Sequence, residues 1–321
     1  MPPPTGRAVV IVNPVKTDST HLRSVVAAEE KSAGWLPSVW FETTVDDPGH
    51  LAARAALEHS PTVVIIVGGD GTIRAVAQEL SASAVPLAII PAGTGNLLAR
   101  TLGLMSDVHT SVRTAFTGAV RAIDVGFAEL EFADGRVSKH VFLVMTGVGL
   151  DARMAADTNL ALKKRIGWLA YTDPIGRSVL GNEQFSMRYR VNGERERLVQ
   201  AHTVIVGNCG TLTAGILLLP DAKIDDGLLD VVLLRPKGFW QWLRVGTRLG
   251  FGGILNRTRG GRVILRAAPG LRAMQYVQAR ELRAWFDEPQ RIQLDGDSFG
   301  VVTAATITVR HHGLHVRVPH E

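Results

Sequence analysis

Residues 63–80 read VVIIVGGDGTIRAVAQEL. The run from Val63 to Val67 is unbroken and β-branched throughout, as strands buried on both faces are. Gly68-Gly69-Asp70-Gly71-Thr72 follows at once, and from Ile73 to Leu80 the apolar residues recur at helical spacing. A strand, a glycine turn and a helix in direct succession let the turn's backbone N–H groups face a phosphate, with the helix dipole adding a favourable field. Glycines at 68, 69 and 71 permit close approach and positive φ. The spacing is not G-x-G-x-x-G and no Gly-Lys-Ser/Thr follows, so neither common nucleotide fingerprint applies. Taken alone, the loop could also be a plain strand-to-helix turn.

The same pattern extends to both sides. Residues 8–12 (AVVIV) and 87–90 (LAII) are further buried-strand runs, and 51–58 (LAARAALE) carries helical spacing. Strands alternating with helices predict an α/β N-terminal domain with a parallel sheet. Ligands of such sheets bind beyond the carboxyl ends of the strands. The loops there read NPVK, GGDGT and PAGTGN. Two glycine turns side by side would surround one ligand with two threonine hydroxyls, Thr72 and Thr94, and the amide of Asn96.

From about Asp124 the pattern changes to short apolar runs between polar or Gly-rich turns, at 141–145, 185–191, 204–206, 229–234, 262–266 and 291–294. Helical spacing is confined to about 160–169 and 239–249. A mainly antiparallel β-sandwich C-terminal domain is expected. The predicted division is 1–123 and 124–302, and a terminal strand within 303–321 could return to the first domain.

Composition excludes several classes. Of 321 residues, 46% are hydrophobic and 20% charged, so the chain can bury a core and is not intrinsically disordered. The one cysteine, Cys209, permits no internal disulfide and no cysteine zinc site, which suits a reducing cytoplasm. No apolar run approaches the ~18–20 residues of a membrane span, and the start has no secretory apolar core. A cytoplasmic protein with peripheral membrane contact is expected.

The formal charge of +5 is unevenly spread. Residues 235–283 hold eleven basic side chains and one acid, a segment of +10; the other 24 basic and 29 acidic residues make the remainder −5. Within that segment, 239–249 (FWQWLRVGTRL) combines Phe239, Trp240 and Trp242 with Arg244 and Arg248. Aromatics at the headgroup boundary with arginines on lipid phosphates would dock the chain on an anionic bilayer. The same stretch could instead cap the β domain with solvated arginines. Nucleic acid is not expected, since no motif of that class accompanies the patch. His311, His312 and His315 have no carboxylate or cysteine near them in sequence, and on a strand 312 and 315 face opposite sides, so a solvated strand is expected there.

VVIIVGGDGTIRAVAQEL with PLAIIPAGTGNLLARTLGL resembles the diacylglycerol kinase catalytic-domain family, in particular its soluble bacterial lipid kinases related to sphingosine kinases. VNPVK, IDVGF (123–127), TGVGLDA (146–152), PDAKIDDGLLD (220–230) and LDGD (294–297) fall in the family's order. The resemblance implies that ATP is held by Gly68, Gly69, Asp70, Gly71 and Thr72, by Thr94 with Asn96, and by Thr43 or its neighbour Thr44. Asn13, in the first loop, joins that set. It also implies a structural Mg²⁺ held by Asp226 with the main-chain carbonyls of Lys223 and Leu228. Oxygen-only ligands suit such a hard cation, although Asp225-Asp226-Gly227 is equally a good β-turn.

The implied reaction is transfer of the ATP γ-phosphate to a lipid alcohol, with diacylglycerol the default acceptor. A hydroxyl attacking a phosphate needs a carboxylate to take its proton. The family's bacterial members use the glutamate of L-D-G-E, whereas this chain reads Leu294-Asp295-Gly296-Asp297. Three readings stay open: Asp297 as a shorter working base, Asp70 as the base or as organiser of Mg²⁺·ATP, and a weakened site kept for lipid sensing. Asp295-Gly296 could also be an ordinary hairpin turn. Asp124 is expected to be a supporting carboxylate at the domain junction. An NAD kinase-like enzyme and a catalytically weak lipid-binding protein are the alternatives, and a second copy of the chain is a candidate partner. If the basic segment docks on lipid, vesicle flotation should be stronger with anionic than neutral vesicles and should weaken as salt rises; equal flotation would remove the docking role.

Overall fold

The computed structural model describes residues 6–15, 17–149, 184–210, 219, 222–235 and 274–320. The expected elements at 160–169, 239–249 and 262–266 lie outside those residues, as does the basic stretch between 236 and 273. The chain divides into two compact units, Met1–Val125 with His311–Glu321, and Gly126–Arg310.

In the first unit β1 (Arg7–Val12), β2 (Leu36–Glu42), β3 (Val63–Gly68) and β4 (Leu87–Pro91) lie in the order β4-β3-β1-β2. Every pair among them is parallel. The connecting helices are α1 (Ser19–Ala33), α2 (His50–Glu58), α3 (Asp70–Leu80), α4 (Leu97–Thr101) and α5 (Val108–Thr117). One sheet face packs Val10, Val12, Ile65 and Ile90 against Val25 and Val26 of α1 and Val112 and Phe116 of α5. The intervening residues Val9, Ile11, Val64 and Ile66 point the other way and are just as buried, with Ile73, Val76 and Ala77 of α3. Covering both faces explains why these strands are unbroken apolar runs rather than alternating ones.

Two of the helices carry start signals in the sequence. Asp18 accepts from the Thr20 and His21 N–H groups at the head of α1, and Gly34 (φ 67°) ends it. Asp107 does the same for α5 through the Thr110 N–H at 3.0 Å. α2 and α3 are joined by Glu79, which accepts from Arg54 Nε at 2.8 Å and lies 2.9 Å from His50 Nδ1. Burial pushes the Glu79 carboxyl up, but the hydrogen bonds from Arg54 and His50 outweigh it and hold the group below its ordinary value.

The second unit is antiparallel. Its strands include β6 (Val137–Phe142), β7 (Met145–Gly149), β8 (Phe185–Val191), β9 (Arg197–Ala201), β10 (Thr203–Gly207), β11 (Leu229–Leu234), β12 (Met274–Ala279) and β13 (Glu281–Leu294). β12, β11, β10 and β7 are neighbours in that order, β8 pairs with β9, and β13 bridges the two groups. Its first half pairs with β8 from Leu282 to Phe286 and its second half with β7 from Ile292 to Leu294. The register shifts between Trp285 and Gln290, where Pro289 interrupts the ladder. One strand thus serves two layers around a core of Met187, Val206, Val231, Leu233, Phe286 and Ile292.

β5 (Ala119–Glu131) and β14 (Asp297–Val318) each run through both units. The chain passes from the first unit to the second after Val125 and returns at His311, compared with the expected 123/124 and 303. Residues 303–310 still belong to the second unit in part because Ala304 to Thr308 pair with β13. Val316 then lies parallel to Leu87 of β4, which brings the terminal strand into the first sheet.

The strand expected at 141–145 is two strands. β6 ends at Phe142 and β7 begins at Met145, with Leu143 and Val144 between them. The cause is Asp295, 8% exposed, whose carboxylate accepts from the N–H groups of Leu143 (2.8 Å), Val144 (2.9 Å) and Met145 (3.0 Å). A charged acceptor that captures three successive N–H groups takes them from the ladder. Asp295→Ala would strand these buried donors at roughly 1–3 kcal/mol each, so denaturant unfolding should show a loss of at least ~3 kcal/mol; an unchanged midpoint would contradict this role.

Candidate functional site

Because β1 to β4 are parallel, the loops that follow them emerge at one edge of the sheet. Adjacent strands change connection direction between β1 and β3, the crevice where open α/β sheets bind ligands. At this edge the ladder continues into the loops: Asn13 N–H donates to the Val67 carbonyl at 3.1 Å, Thr43 N–H to Val12 at 3.0 Å and Ala92 N–H to Gly68 at 2.9 Å. Asn13, Thr43, Gly68 and Ala92 are therefore brought together by backbone bonds alone.

The GGDGT segment is the end of β3 and the first turn of α3. Gly69 occupies the cap position with extended backbone (φ −99°, ψ −179°) and no side chain caps this helix. Its first-turn N–H groups point out of the helix end, where the dipole favours an anion. The missing side chains also leave room. A Cβ on Gly93 would stand 2.6 Å from Gly69 Cα and 2.7 Å from Asn96 Oδ1, and one on Gly95 would stand 2.8 Å from Asp70 Oδ2. The two glycine turns touch at distances only glycine permits.

Asp70 ties them together. Leu97 N–H, the first of α4, donates to Asp70 Oδ1 at 2.8 Å. The carboxylate thus lies in the first turn of α3 and at the head of α4. Asn96, buried and at φ 49°, clamps its own turn: Oδ1 accepts from Gly93 N–H and Nδ2 donates to the Gly93 carbonyl, both at 2.9 Å. Its amide is engaged in shaping the loop. Thr94 is exposed at the loop tip, and Thr72 is buried.

Thr43 and Thr44 separate by role. Thr44 Oγ1 accepts from Asp47 N–H at 3.0 Å, and Asp47 in turn accepts from His50 N–H at 2.8 Å and Leu51 N–H at 3.1 Å at the head of α2. Thr43 is 5% exposed. A Cβ on Gly49 (φ 139°) would lie 3.7 Å from the γ-methyls of both Thr43 and Thr72. Gly49 is thus a neighbour of Thr43 and Thr72 that the sequence reading does not single out; its signal is the Asp-Pro-Gly turn before α2. Arg74, a buried cation one turn into α3, was likewise unmarked.

The LDGD and DDGLLD motifs lie in the second unit. Leu294 pairs with Asp297, and the two residues between, Asp295 (φ 49°) and Gly296 (φ 88°), both have positive φ as a type I′ hairpin turn requires. The aspartates divide the work: Asp295 is the buried anchor described above, and Asp297 stands exposed where β14 begins. Gln293 supports the turn by accepting from Gly296 N–H through Oε1, and Asn208 donates to the Leu143 carbonyl at 3.2 Å beneath it. In the other motif Asp226 Oδ1 accepts from Leu228 N–H at 3.0 Å and Gly227 has φ 73°. This Asx turn closes Asp226 onto Leu228; the Asp226 carboxylate and the main-chain carbonyls of Lys223 and Leu228 are all oxygen donors, a set that suits Mg²⁺ or Ca²⁺. Asp230, fully buried on β11, accepts from the Tyr276 hydroxyl and from Gln278 Nε2.

The carboxylate that the sequence neighbourhood of His311 and His312 lacks is supplied from elsewhere in the first unit. Asp124, fully buried on β5, has Oδ1 2.9 Å from His311 Nδ1 and accepts from His312 N–H at 2.8 Å. The reading of a carboxylate-free strand is thus corrected: the partner is distant in sequence and adjacent in the fold.

Gly93→Ala should force the two glycine turns apart, and overpacking of this kind costs roughly 1–3 kcal/mol. A lower melting temperature with an unchanged far-ultraviolet spectrum is expected; wild-type stability would contradict the close approach.

The chain matches the model of the diacylglycerol kinase catalytic domain over residues 7–128 and that of the YegS C-terminal NAD kinase beta sandwich-like domain over residues 144–259. It is 27% identical to a diacylglycerol kinase of Bacillus subtilis over 98% of this chain and 97% of the relative. A probable lipid kinase YegS-like protein of Pseudomonas syringae pv. tomato is 30% identical over 83% and 84% of the two chains. In fold it resembles the crystal structure of a putative diacylglycerol kinase from Bacillus anthracis, with a TM-score of 0.70 at 21% identity over 98% and 95%. Yeast NADH kinase shares the fold more distantly, with a TM-score of 0.52 at 10% identity over 99% and 85%. Adjacent glycine turns on a parallel sheet, a β-sandwich-like second unit and these matches along the chain agree: it belongs to the diacylglycerol kinase catalytic-domain family.

Proposed function

We propose that this protein is a lipid kinase that moves the γ-phosphate of ATP to the hydroxyl of a lipid alcohol, diacylglycerol giving phosphatidic acid. The observation that carries the nucleotide half is the uncapped head of α3 beside a second glycine turn, joined by the Asp70 carboxylate. The lipid half rests on the resemblance to relatives named lipid kinase and diacylglycerol kinase.

In this reading the N–H groups at the head of α3 bind phosphate oxygens, with the hydroxyls of Thr72, Thr94 and Thr43 around them and Asn13 at the neighbouring strand end. Asp70 keeps the two turns in register and, through its carboxylate, would help to hold Mg²⁺ with the nucleotide. Mg²⁺, when bound, offsets charge on the phosphates. Asp226 and the carbonyls of Lys223 and Leu228 would hold a second, structural Mg²⁺ that stiffens their loop. Asp297 takes the proton of the lipid hydroxyl as the new oxygen–phosphorus bond forms and the bond to the β-phosphate oxygen breaks, leaving ADP.

Asp297 suits the role of base better than Asp70. One oxygen of Asp70 already accepts from Leu97 N–H, and a group that fixes two loops is poorly placed to trade protons each turnover. Asp297 is exposed on a turn that Asp295 holds rigid. General-base catalysis contributes ~10²–10⁴ in rate. With ATP and diacylglycerol in mixed micelles, Asp297→Ala should therefore lose at least ~100-fold in kcat with little change in KM for ATP. Asp297→Glu, which keeps the carboxylate, should retain activity within about tenfold of wild type. Full activity in Asp297→Ala would overturn the assignment of the base.

A further inference from the structure

We propose that Asp124, His311 and His312 bind a divalent transition-metal ion of the zinc class. One oxygen of Asp124 and one nitrogen from each imidazole all lie within 4.8 Å of one another. The three residues sit in the first unit, on β5 and β14, at the points where the chain leaves that unit after Val125 and returns at His311.

The arrangement is not what a regular strand produces. Neighbouring side chains on a strand point to opposite faces. His312 instead has φ 53°, a left-handed conformation that is uncommon for a residue with a side chain, and its N–H is held by Asp124 Oδ1 at 2.8 Å. The turned backbone brings both imidazoles to one side, with ring centroids 3.7 Å apart and planes inclined by 29°. Backbone strain held by a buried carboxylate has therefore placed three ligand-type groups together.

Their chemistry selects the ion. Two imidazoles with one carboxylate form the donor set of open zinc sites, with the fourth position left to water. Nitrogen donors favour Zn²⁺, Co²⁺ or Ni²⁺ over Mg²⁺, which takes oxygens. On tetrahedral zinc, with bonds of ~2.1 Å, ligand atoms stand about 3.4 Å apart. Both histidines are exposed, so their rings can close that gap by small rotations and an ion can enter from solvent. Asp124, fully buried, is the fixed member. A bound ion would crosslink β5 to β14.

The test uses the full chain with any affinity tag removed and Zn²⁺ or Co²⁺ alone as the probe. Calorimetric titration should show one ion per chain and a metal-dependent rise in melting temperature, and Co²⁺ should give visible absorption of low coordination number. His311→Ala and His312→Ala, both exposed positions, should each weaken Zn²⁺ binding by at least about tenfold. His320→Ala, a histidine outside the cluster, should leave it unchanged. Zn²⁺ binding in wild type no tighter than in the His311→Ala/His312→Ala double variant would overturn the proposal, as would equal weakening by His320→Ala.

Discussion

The hydrogen bond from Leu97 N–H to Asp70 Oδ1 is the constraint on which the first unit's site depends. A parallel sheet delivers its loops to one edge but does not fix their spacing. Here the spacing is set by a carboxylate that lies in the first turn of α3 and at the head of α4, where two helix N-termini both favour negative charge. Gly93 and Gly95 allow the approach, since a Cβ on either would collide with Gly69 or with Asp70. Asn96 then closes the second turn on itself. The result is an edge built from backbone N–H groups, with side chains used to hold loop shape.

A second carboxylate does comparable work in the other unit. Asp295 captures three N–H groups at the β6–β7 break and fixes the hairpin turn from which Asp297 projects. The two aspartates of LDGD thus differ: Asp295 is buried and structural, and Asp297 is exposed. A rigid turn suits the base proposed for Asp297, because an aspartate cannot make up by flexibility the reach that a glutamate has.

Much of this was legible in the residues. Unbroken β-branched runs gave away the strands buried on both faces, and β8 and β11 match their expected bounds at 185–191 and 229–234. What failed was whatever depended on a distant partner. Residues 141–145 are uniformly apolar, so nothing local announces that Asp295, 150 residues or more away, divides them. Thr43 and Thr44 are chemically alike, and only the Asp47 turn distinguishes them. His311 and His312 read as a solvated strand because Asp124 lies 187 residues off and because a left-handed residue inside a strand breaks the alternation rule. Periodicity reports local burial; it does not report where a buried carboxylate will find its donors.

No helix among the described residues is long and apolar enough to cross a membrane. The most direct test of the central claim is transfer of radiolabelled γ-phosphate from ATP by the purified wild-type protein, offered a panel of lipid alcohols and, separately, NAD. Label in phosphatidic acid from diacylglycerol vesicles, with none in NADP, is the predicted result. Label in NADP, or in no lipid of the panel, would contradict the account.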